Sequence, residues 1–311
     1  MSTSAPRNIG HSVFTKLKDQ ARERGEDFNH VLQRYGIERL LYRLSVSQYR
    51  ENFILKGASM LMVWLGQEYR TTRDADLLGF GDPAPEHIRK VFQELCRIEP
   101  AEPDGIEISA DSVSVEPIRE ERAYGGQQVT LRAALHTASI ALQVDLGFGD
   151  VVTPGPDQIE YPTRLEFPAP KLRAYPKETL VAEKLEAMVS LGMANSRLKD
   201  FYDIWILSRK LRFDGSLLQA AIQATFSHRQ TRLPVEAPAA FSKEFAEENA
   251  RQAQWKAFLT RHALEDSPQN FEVTISSIRD FLQPVMDALT AGEQFSLFWE
   301  PDNGWSSRRR S

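Results

Sequence analysis

The sequence contains a single cysteine, Cys96, and no long apolar run among its 311 residues. One cysteine excludes an intramolecular disulfide and any zinc site built from several thiolates. A membrane-spanning helix needs about 18 consecutive apolar residues, and the N-terminal residues MSTSAPRNIG lack the basic-then-apolar order of a secretory signal. We therefore expect a cytoplasmic protein with no membrane partner.

An excess of positive charge is also missing. Lys and Arg number 38 against 43 Asp and Glu, which gives a formal net charge of −5 at pH 7. Bulk attraction to phosphates is thereby excluded, so a nucleic-acid partner would need a local basic patch. The three arginines at 308–310 are interpreted as a solvated tail, with contact to RNA as the alternative. The candidates for a patch, called here the basic group, are Arg70, Arg73, Arg197, Lys199, Arg209, Lys210 and Arg212.

Hydrophobic periodicity divides the chain near residue 175. Helical spacing within 1–50 predicts N-terminal helices that pack on the core. Short apolar runs, turn residues and β-branched alternation within 51–175 predict a mixed β-sheet with flanking helices. Almost every segment of 176–311 has helical periodicity. We therefore expect an α+β fold in which the sheet domain precedes a C-terminal helical bundle.

Local patterns give more specific expectations. Residues 28–45 form a helix with a bend at Gly36, and 243–262 form one continuous helix. A strand at 73–78 contains Asp74 and Asp76, and a proline-containing strand at 157–167 lies at a sheet edge.

A strand, a tight turn and a helix follow one another at 53–65. The turn contains Lys56, Gly57 and Ser59. Glycine lets a phosphate approach the backbone N–H groups at a helix start, and the Ser59 hydroxyl can add a donor. A plain turn, with Ser59 as helix N-cap, is the alternative interpretation.

Acidic residues follow this turn. Asp74 and Asp76 are two apart, so on a strand both carboxylates project from one face. Hard oxygen ligands of this kind suit Mg²⁺, which is often shared with substrate phosphates. A lone DxD pair is also common on exposed strands. Asp145 ends a later strand and is a candidate third ligand for two-metal chemistry, with a turn-forming acid as the alternative.

A helix at 177–191 presents another candidate. Val181, Leu185 and Met188 form its buried stripe, and Lys184 lies at the margin, from which a lysine side chain can reach a cleft. There it would bind the β and γ phosphates of a nucleotide. Asp200 lies on the next helix and would hold Lys184 or contact the nucleotide. A surface ion pair without function is the alternative for Lys184.

Two motifs together resemble the AbiEii toxins, the nucleotidyltransferase-like half of type IV toxin–antitoxin systems. The first combines Lys56-Gly57-Ala58-Ser59 with RTTRDAD, in which Arg70, Thr72, Asp74 and Asp76 match. The second is PKETLVAEKLEAMVSLGMANSRLKDFYDIWIL. Ala58 replaces a second glycine of the family pattern. Lys199 replaces an arginine, which keeps the charge and loses the planar fork.

The resemblance implies an abortive-infection enzyme that transfers a nucleoside monophosphate from an NTP to RNA, with tRNA 3′ ends as the acceptor class. It implies Mg²⁺ and NTP as cofactor and co-substrate, and a cognate antitoxin that acts at the gene or regulatory level. The nucleotide would contact Lys56, Gly57, Ser59, Arg70, Thr72 and Lys184. Asp74, Asp76 and Asp145 would bind metal, and the helical domain would contribute Lys184 and Asp200 to the catalytic cleft. A partner-protein acceptor and a non-catalytic nucleotide- or partner-binding regulator are the alternative functions.

Overall fold

The structure is a computed structural model that describes residues 9–66, 72, 74–118, 126–264 and 267–307. The chain divides into two compact units. The sheet unit takes the described residues up to Gly66, those from Thr72 to Gly149, and Asp157–Ala174. The helical unit takes Asp150–Pro156 and the described residues from Tyr175 onward.

The described part of the sheet unit combines helices with one mixed sheet. Its helices are α1 (Ile9–Arg24), α2 (Phe28–Ser45), α3 (Ser59–Leu65) and α4 (Pro85–Cys96). Its strands are β1 (Phe53–Lys56), β2 (Ala75–Gly79), β3 (Ile106–Ile118), β4 (Gly126–Leu135), β5 (Ala138–Phe148), β6 (Asp157–Glu160) and β7 (Lys171–Ala174). The seven strands lie in the order β3-β4-β5-β2-β1-β7-β6. Pairs β2–β5 and β1–β7 are parallel, and the other neighbours are antiparallel. The predicted α+β class with a mixed sheet is therefore confirmed.

One face of the sheet is apolar and covered by helices. Leu142 and Val144 of β5 are buried, and α2 packs on this strand. Gly36 explains how closely α2 approaches, because a Cβ at this position would lie 2.6 Å from the Leu142 side chain. The helix expected at 28–45 is continuous from Phe28 to Ser45, and at Gly36 the missing side chain makes room for Leu142.

At the sheet edge formed by β7 and β6, one strand is shorter than expected and one strand was not expected. The expected strand at 157–167 lies at the edge, but only Asp157–Glu160 is extended. Strand β7 pairs with both β1 and β6 and is not predicted from the sequence. Its alternation of buried Leu172 and Ala174 with charged neighbours spans only four residues. So short an alternation is too weak a pattern to separate from a loop.

The described part of the helical unit contains α5 (Lys177–Leu191), α6 (Leu198–Lys210), α7 (Gly215–His228), α8 (Lys243–Glu247), α9 (Asn249–Arg261) and α10 (Phe271–Ala291). The helix expected at 243–262 is divided into two, because Glu248 leaves the helical conformation (ψ 119°) and separates α8 from α9. A small sheet was also missed, and its strands are β8 (Phe213–Asp214), β9 (Phe298–Glu300) and β10 (Gly304–Ser306). A helix with the length and hydropathy to cross a bilayer is not found in the described chain.

Candidate active site

A row of polar residues crosses three strands of the sheet unit. Lys56 of β1 is in register with Asp76 of β2, and Asp76 is in register with Asp145 of β5. Residues in register on neighbouring strands project from the same face of a sheet. The two carboxylates are therefore neighbours on the face opposite Leu142 and Val144, because side chains alternate along a strand. Both are half-buried.

Asp74 is placed differently from the prediction. Strand β2 begins at Ala75, so Asp74 lies one residue before it, and the expected strand from 73 is wrong at this end. Strand alternation therefore does not aim the Asp74 carboxylate. Instead, Thr72 Oγ1 donates a hydrogen bond to Asp74 Oδ1 at 2.7 Å. Thr72, expected to contact nucleotide, thus holds the aspartate. Residue 73 lies outside the described residues.

Gly57 makes the row possible. Its φ of +70° lies in the left-handed region, which favours glycine. A Cβ at Gly57 would lie 1.9 Å from Asp76 Oδ2, so no other residue fits without displacing that carboxylate. Close packing of the Lys56-Gly57 turn on Asp76 was not foreseen, since the sequence pattern suggested only a phosphate contact for this glycine.

Ser59 and Arg70 were also expected to contact phosphate. Ser59 is the first residue of α3 and is 4% exposed. It is not the N-cap, because Ala58 occupies that position without a side-chain hydrogen bond. Arg70 lies outside the described residues.

Asp145 is held by two amide groups. Gln143 Nε2 donates to Asp145 Oδ1 at 3.0 Å, and Gln128 Nε2 donates to the same oxygen at 3.2 Å. Gln143 lies two residues earlier on β5, and Gln128 is the register partner of Asp145 on β4. Neither glutamine is predicted from the sequence, because their approach to Asp145 depends on strand pairing.

The donor set can be compared with the needs of Mg²⁺. Within the described residues, no three or more His, Cys, Asp or Glu side chains are grouped so as to hold a metal ion. In the described part of the chain, Asp74, Asp76 and Asp145 therefore do not form such a group. Mg²⁺, however, is usually bound through one or two carboxylates together with water and substrate phosphates. The adjacent Asp76 and Asp145 fit that kind of site.

Lys184 lies in an ion-pair cluster of the helical unit. Its Nζ is 2.5 Å from Asp200 Oδ1 and 2.9 Å from Asp203 Oδ2. The side chains of Lys184, Asp200 and Asp203 are 12%, 9% and 1% exposed, so this is not a surface ion pair. The predicted stripe of Val181, Leu185 and Met188 is fully buried. α6 therefore supplies two carboxylates to one ammonium group, of which sequence analysis had assigned only Asp200 to the site.

A second buried cluster was missed. Arg229, at the end of α7, lies 2.8 Å from Asp150, 2.8 Å from Glu186 and 3.4 Å from Glu183. Burial alone would lower the pKa of Arg229, but the Glu183 and Asp150 carboxylates outweigh it and raise the pKa. The cluster joins the segment after β5 to α5 and α7. Arg229 carries no periodicity signal that could have indicated this role.

The basic group lies partly beside acids. Arg209 pairs with Asp302 at 2.6 Å, and Arg212 pairs with Glu300 at 2.8 Å. Lys199 and Lys210 are exposed. Arg70 and Arg73 lie outside the described residues, and so does the arginine tail.

Comparison with known proteins identifies the family. Residues 39–283 match the family described as "Nucleotidyl transferase AbiEii toxin, Type IV TA system". The crystal structure of JHP933 from Helicobacter pylori is 14% identical, with a TM-score of 0.46 over 82% of this chain and 90% of that one. A candidate nucleotidyltransferase from H. pylori is 15% identical, with a TM-score of 0.48 over 86% of this chain and 97% of that one. No curated protein matches. Because the family match covers most of the sequence, the chain belongs to the AbiEii nucleotidyl transferase toxin family of type IV toxin–antitoxin systems.

Proposed function

We propose that this chain transfers a nucleoside monophosphate from an NTP to an RNA acceptor, the 3′ end of tRNA, and so arrests translation and growth. The observation that carries the proposal is the pairing of Asp76 with Asp145 across β2 and β5, beside the Lys56-Gly57 turn. Two adjacent carboxylates next to a lysine and a glycine suit binding of a cation and a triphosphate together.

Mg²⁺ would be held by Asp76 and Asp145, with Asp74 as a further ligand. Bound there, it would offset charge on the phosphates and activate the attacking hydroxyl. The chain's own residues do the positioning. The Gly57 turn leaves room for the Asp76 carboxylate, Thr72 orients Asp74, and Lys56 would contact phosphate oxygens, whereas Ser59 is buried at the start of α3.

Lys184 is proposed to bind the β and γ phosphates and to offset charge on the departing pyrophosphate. Its two carboxylate partners support a fixed ammonium position, since both are largely buried. In this proposal Asp200 and Asp203 hold Lys184, and Asp200 is not required to touch the nucleotide.

The acceptor is tested by incubating the protein with each α-labelled NTP and either total tRNA or proteins expressed from the same locus. We expect label on tRNA with one preferred NTP. Label found only on protein would reject the RNA acceptor and favour transfer to a partner protein. A small upstream gene for a winged-helix DNA-binding protein would add support as the source of the antitoxin.

Catalysis itself is tested by growth. We expect expression of the wild-type chain to arrest growth and the Asp74→Ala/Asp76→Ala double variant to permit it. Western blotting must show equal amounts of both proteins. Toxicity that survives the double substitution would reject transfer as its cause and favour a regulator that acts by binding alone.

A further inference from the structure

The alternation and pairing of strands place two glutamines, Gln128 and Gln143, next to Asp145. Gln143 and Asp145 are two apart on β5 and share a face. Gln128 stands directly across from Asp145 on the antiparallel strand β4. Both amide groups therefore lie on the same face of the sheet as the carboxylate. Gln143 approaches it along β5, and Gln128 approaches it from the neighbouring strand β4.

Both donors converge on a single oxygen atom. Gln143 Nε2 lies 3.0 Å and Gln128 Nε2 lies 3.2 Å from Asp145 Oδ1. Two hydrogen bonds to one oxygen restrict rotation of the carboxylate about its terminal torsion. The two amide groups are neutral, so they hold the carboxylate without adding a positive charge of their own, unlike the guanidinium of an arginine. An anion that must bind a cation is best held by donors of this kind.

The same face carries Asp76. Its register with Asp145 places the two carboxylates side by side, and the amides approach Asp145 from β4 and from its own strand. The fixed Oδ1 thus leaves the direction of Oδ2 determined by the sheet as well. Groups that orient a ligating carboxylate typically change metal affinity by about 10- to 100-fold when they are removed.

We propose that Gln128 and Gln143 are positioning residues that hold the Asp145 carboxylate beside Asp76 and so set the affinity of this chain for a divalent cation. The inference rests on the proposed function, because it assumes that the cation and nucleotide bind at Asp76 and Asp145. It adds two residues to the site that no family motif used above contains.

The experiment measures Mn²⁺ binding directly by electron paramagnetic resonance on the full chain, with an NTP analogue that carries a methylene group between its α and β phosphates. We expect Gln143→Leu and Gln128→Leu each to weaken Mn²⁺ binding by about 10-fold or more. In the transfer assay, the Mg²⁺ concentration for half-maximal rate should rise more than kcat at saturating Mg²⁺ falls.

Gln127→Leu is the matched control. Gln127 is the preceding residue of β4, is half-buried like Gln128, and projects from the opposite face. We expect its Mn²⁺ affinity to equal that of the wild type. Thermal unfolding of all variants without metal separates a loss of stability from a loss of cation affinity.

Different results overturn different claims. Unchanged Mn²⁺ affinity in folded Gln128→Leu and Gln143→Leu would overturn the positioning role while leaving the proposed transfer intact. The same holds if Asp76→Asn abolishes Mn²⁺ binding and Asp145→Asn does not alter it. Wild-type protein that binds no Mn²⁺ with the analogue and transfers no nucleotide would overturn both the positioning role and the proposed function.

Discussion

At the scale of single residues, Gly57 links the backbone to the candidate site. A non-glycine residue in left-handed conformation costs about 1–2 kcal/mol, and an added Cβ would lie 1.9 Å from Asp76 Oδ2. We expect Gly57→Ala to lower the free energy of unfolding by more than that strain alone and to abolish most transfer activity. Urea denaturation and the labelled-NTP assay measure the two effects.

The variant Gly292→Ala separates backbone strain from the clash with Asp76 as causes of the expected loss of stability. Gly292 has a φ of +71°, nearly the same as the +70° of Gly57, and a Cβ added at Gly292 would meet no atom within 4 Å. It should show the backbone cost and retain full activity. Equal losses of stability and equal activity in the two variants would contradict the contact between Gly57 and Asp76.

Glu38 of α2 gives a pH-dependent prediction. It is 2% exposed, and its Oε1 has no hydrogen-bond partner among the described residues. Burial raises the pKa of Glu38 from 4.5 to about 7, although the Arg164 backbone N–H and the Arg39 guanidinium favour the charged form. The buried carboxyl group therefore keeps its proton at pH values where the unfolded chain releases it.

The direction in which stability changes with pH follows from the difference in proton binding between the folded and unfolded states. A raised pKa in the folded protein means that the native state binds more protons between pH 4.5 and about 7. Stability contributed by Glu38 therefore falls across this window, by a few kcal/mol at most. We expect Glu38→Gln, which stays neutral and can still accept from the Arg164 N–H, to gain stability relative to wild type as pH rises from 4.5 to 8.

Unfolding by urea at several pH values provides the measurement. Glu107→Gln, at an exposed position of β3, should follow the wild-type curve. The difference between wild type and variant excludes the common contribution of histidines. A wild-type-minus-Glu38→Gln difference that is constant from pH 4.5 to 8 would contradict the raised pKa.

At the scale of elements, sequence periodicity predicts the long segments. The helices from α1 to α7 and strands β3 to β5 contain several turns or several alternations, so their apolar pattern is strong. Short elements are not predictable in this way. β8 has two residues, β9 and β10 have three each, and their pairing depends on residues far apart in sequence.

The candidate site, too, depends on pairing between segments that are far apart in sequence, which local patterns do not predict. Asp76 follows from a local motif. Asp145 was expected at the end of its strand, but β5 continues to Phe148, and the register of the two aspartates is a property of the folded sheet. Gln128 and Gln143 are polar residues on a strand face, and many such residues have no role. The contact of Lys184 with Asp200 agrees with the prediction from the second motif, whereas the contact with Asp203 depends on how α5 and α6 pack. The roles assigned to these residues stay predictions.

The Arg229 cluster gives a prediction at the level of packed elements. Arg229 contacts Asp150, Glu183 and Glu186 with a side chain that is 11% exposed. Removing one partner of a buried ion-pair network leaves the remaining charges buried without compensation, which lowers the free energy of unfolding by about 3–5 kcal/mol. We expect Arg229→Leu to lose about this much stability and Arg229→Lys to lose less, because the charge remains while the bidentate geometry is lost.

Arg209→Leu is the comparison for this prediction. Arg209 is 48% exposed and pairs with Asp302, which is 68% exposed. Such surface pairs contribute about 0–1 kcal/mol. Urea denaturation of the three variants gives the values. A cost for Arg229→Leu as small as that for Arg209→Leu would show that the cluster does not stabilise the helical unit.

At the scale of the whole molecule, net charge limits how the proposed RNA acceptor could bind. The chain carries a net charge of −5 at pH 7, so its average field repels polyanions. Arg209 and Arg212 also pair with acids. Exposed lysines such as Lys199 and Lys210 are thus the better candidates for contacts with RNA phosphates. An average field that repels polyanions, combined with a few local contacts, predicts weak binding whose salt dependence reports the number of phosphate contacts.

The salt dependence can be measured by fluorescence anisotropy with labelled tRNA between about 50 and 200 mM KCl. Each contact with a single-stranded phosphate contributes about 0.7 to the slope of log Kd against log salt. We expect Lys199→Gln and Lys210→Gln each to reduce the slope by about that amount and to weaken binding similarly for all tRNA sequences. Lys90→Gln, an exposed lysine of α4, should leave the slope unchanged. A wild-type slope near zero would mean that phosphates make no contact with this chain, and an RNA acceptor would then be untenable even if nucleotide transfer to another substrate were observed.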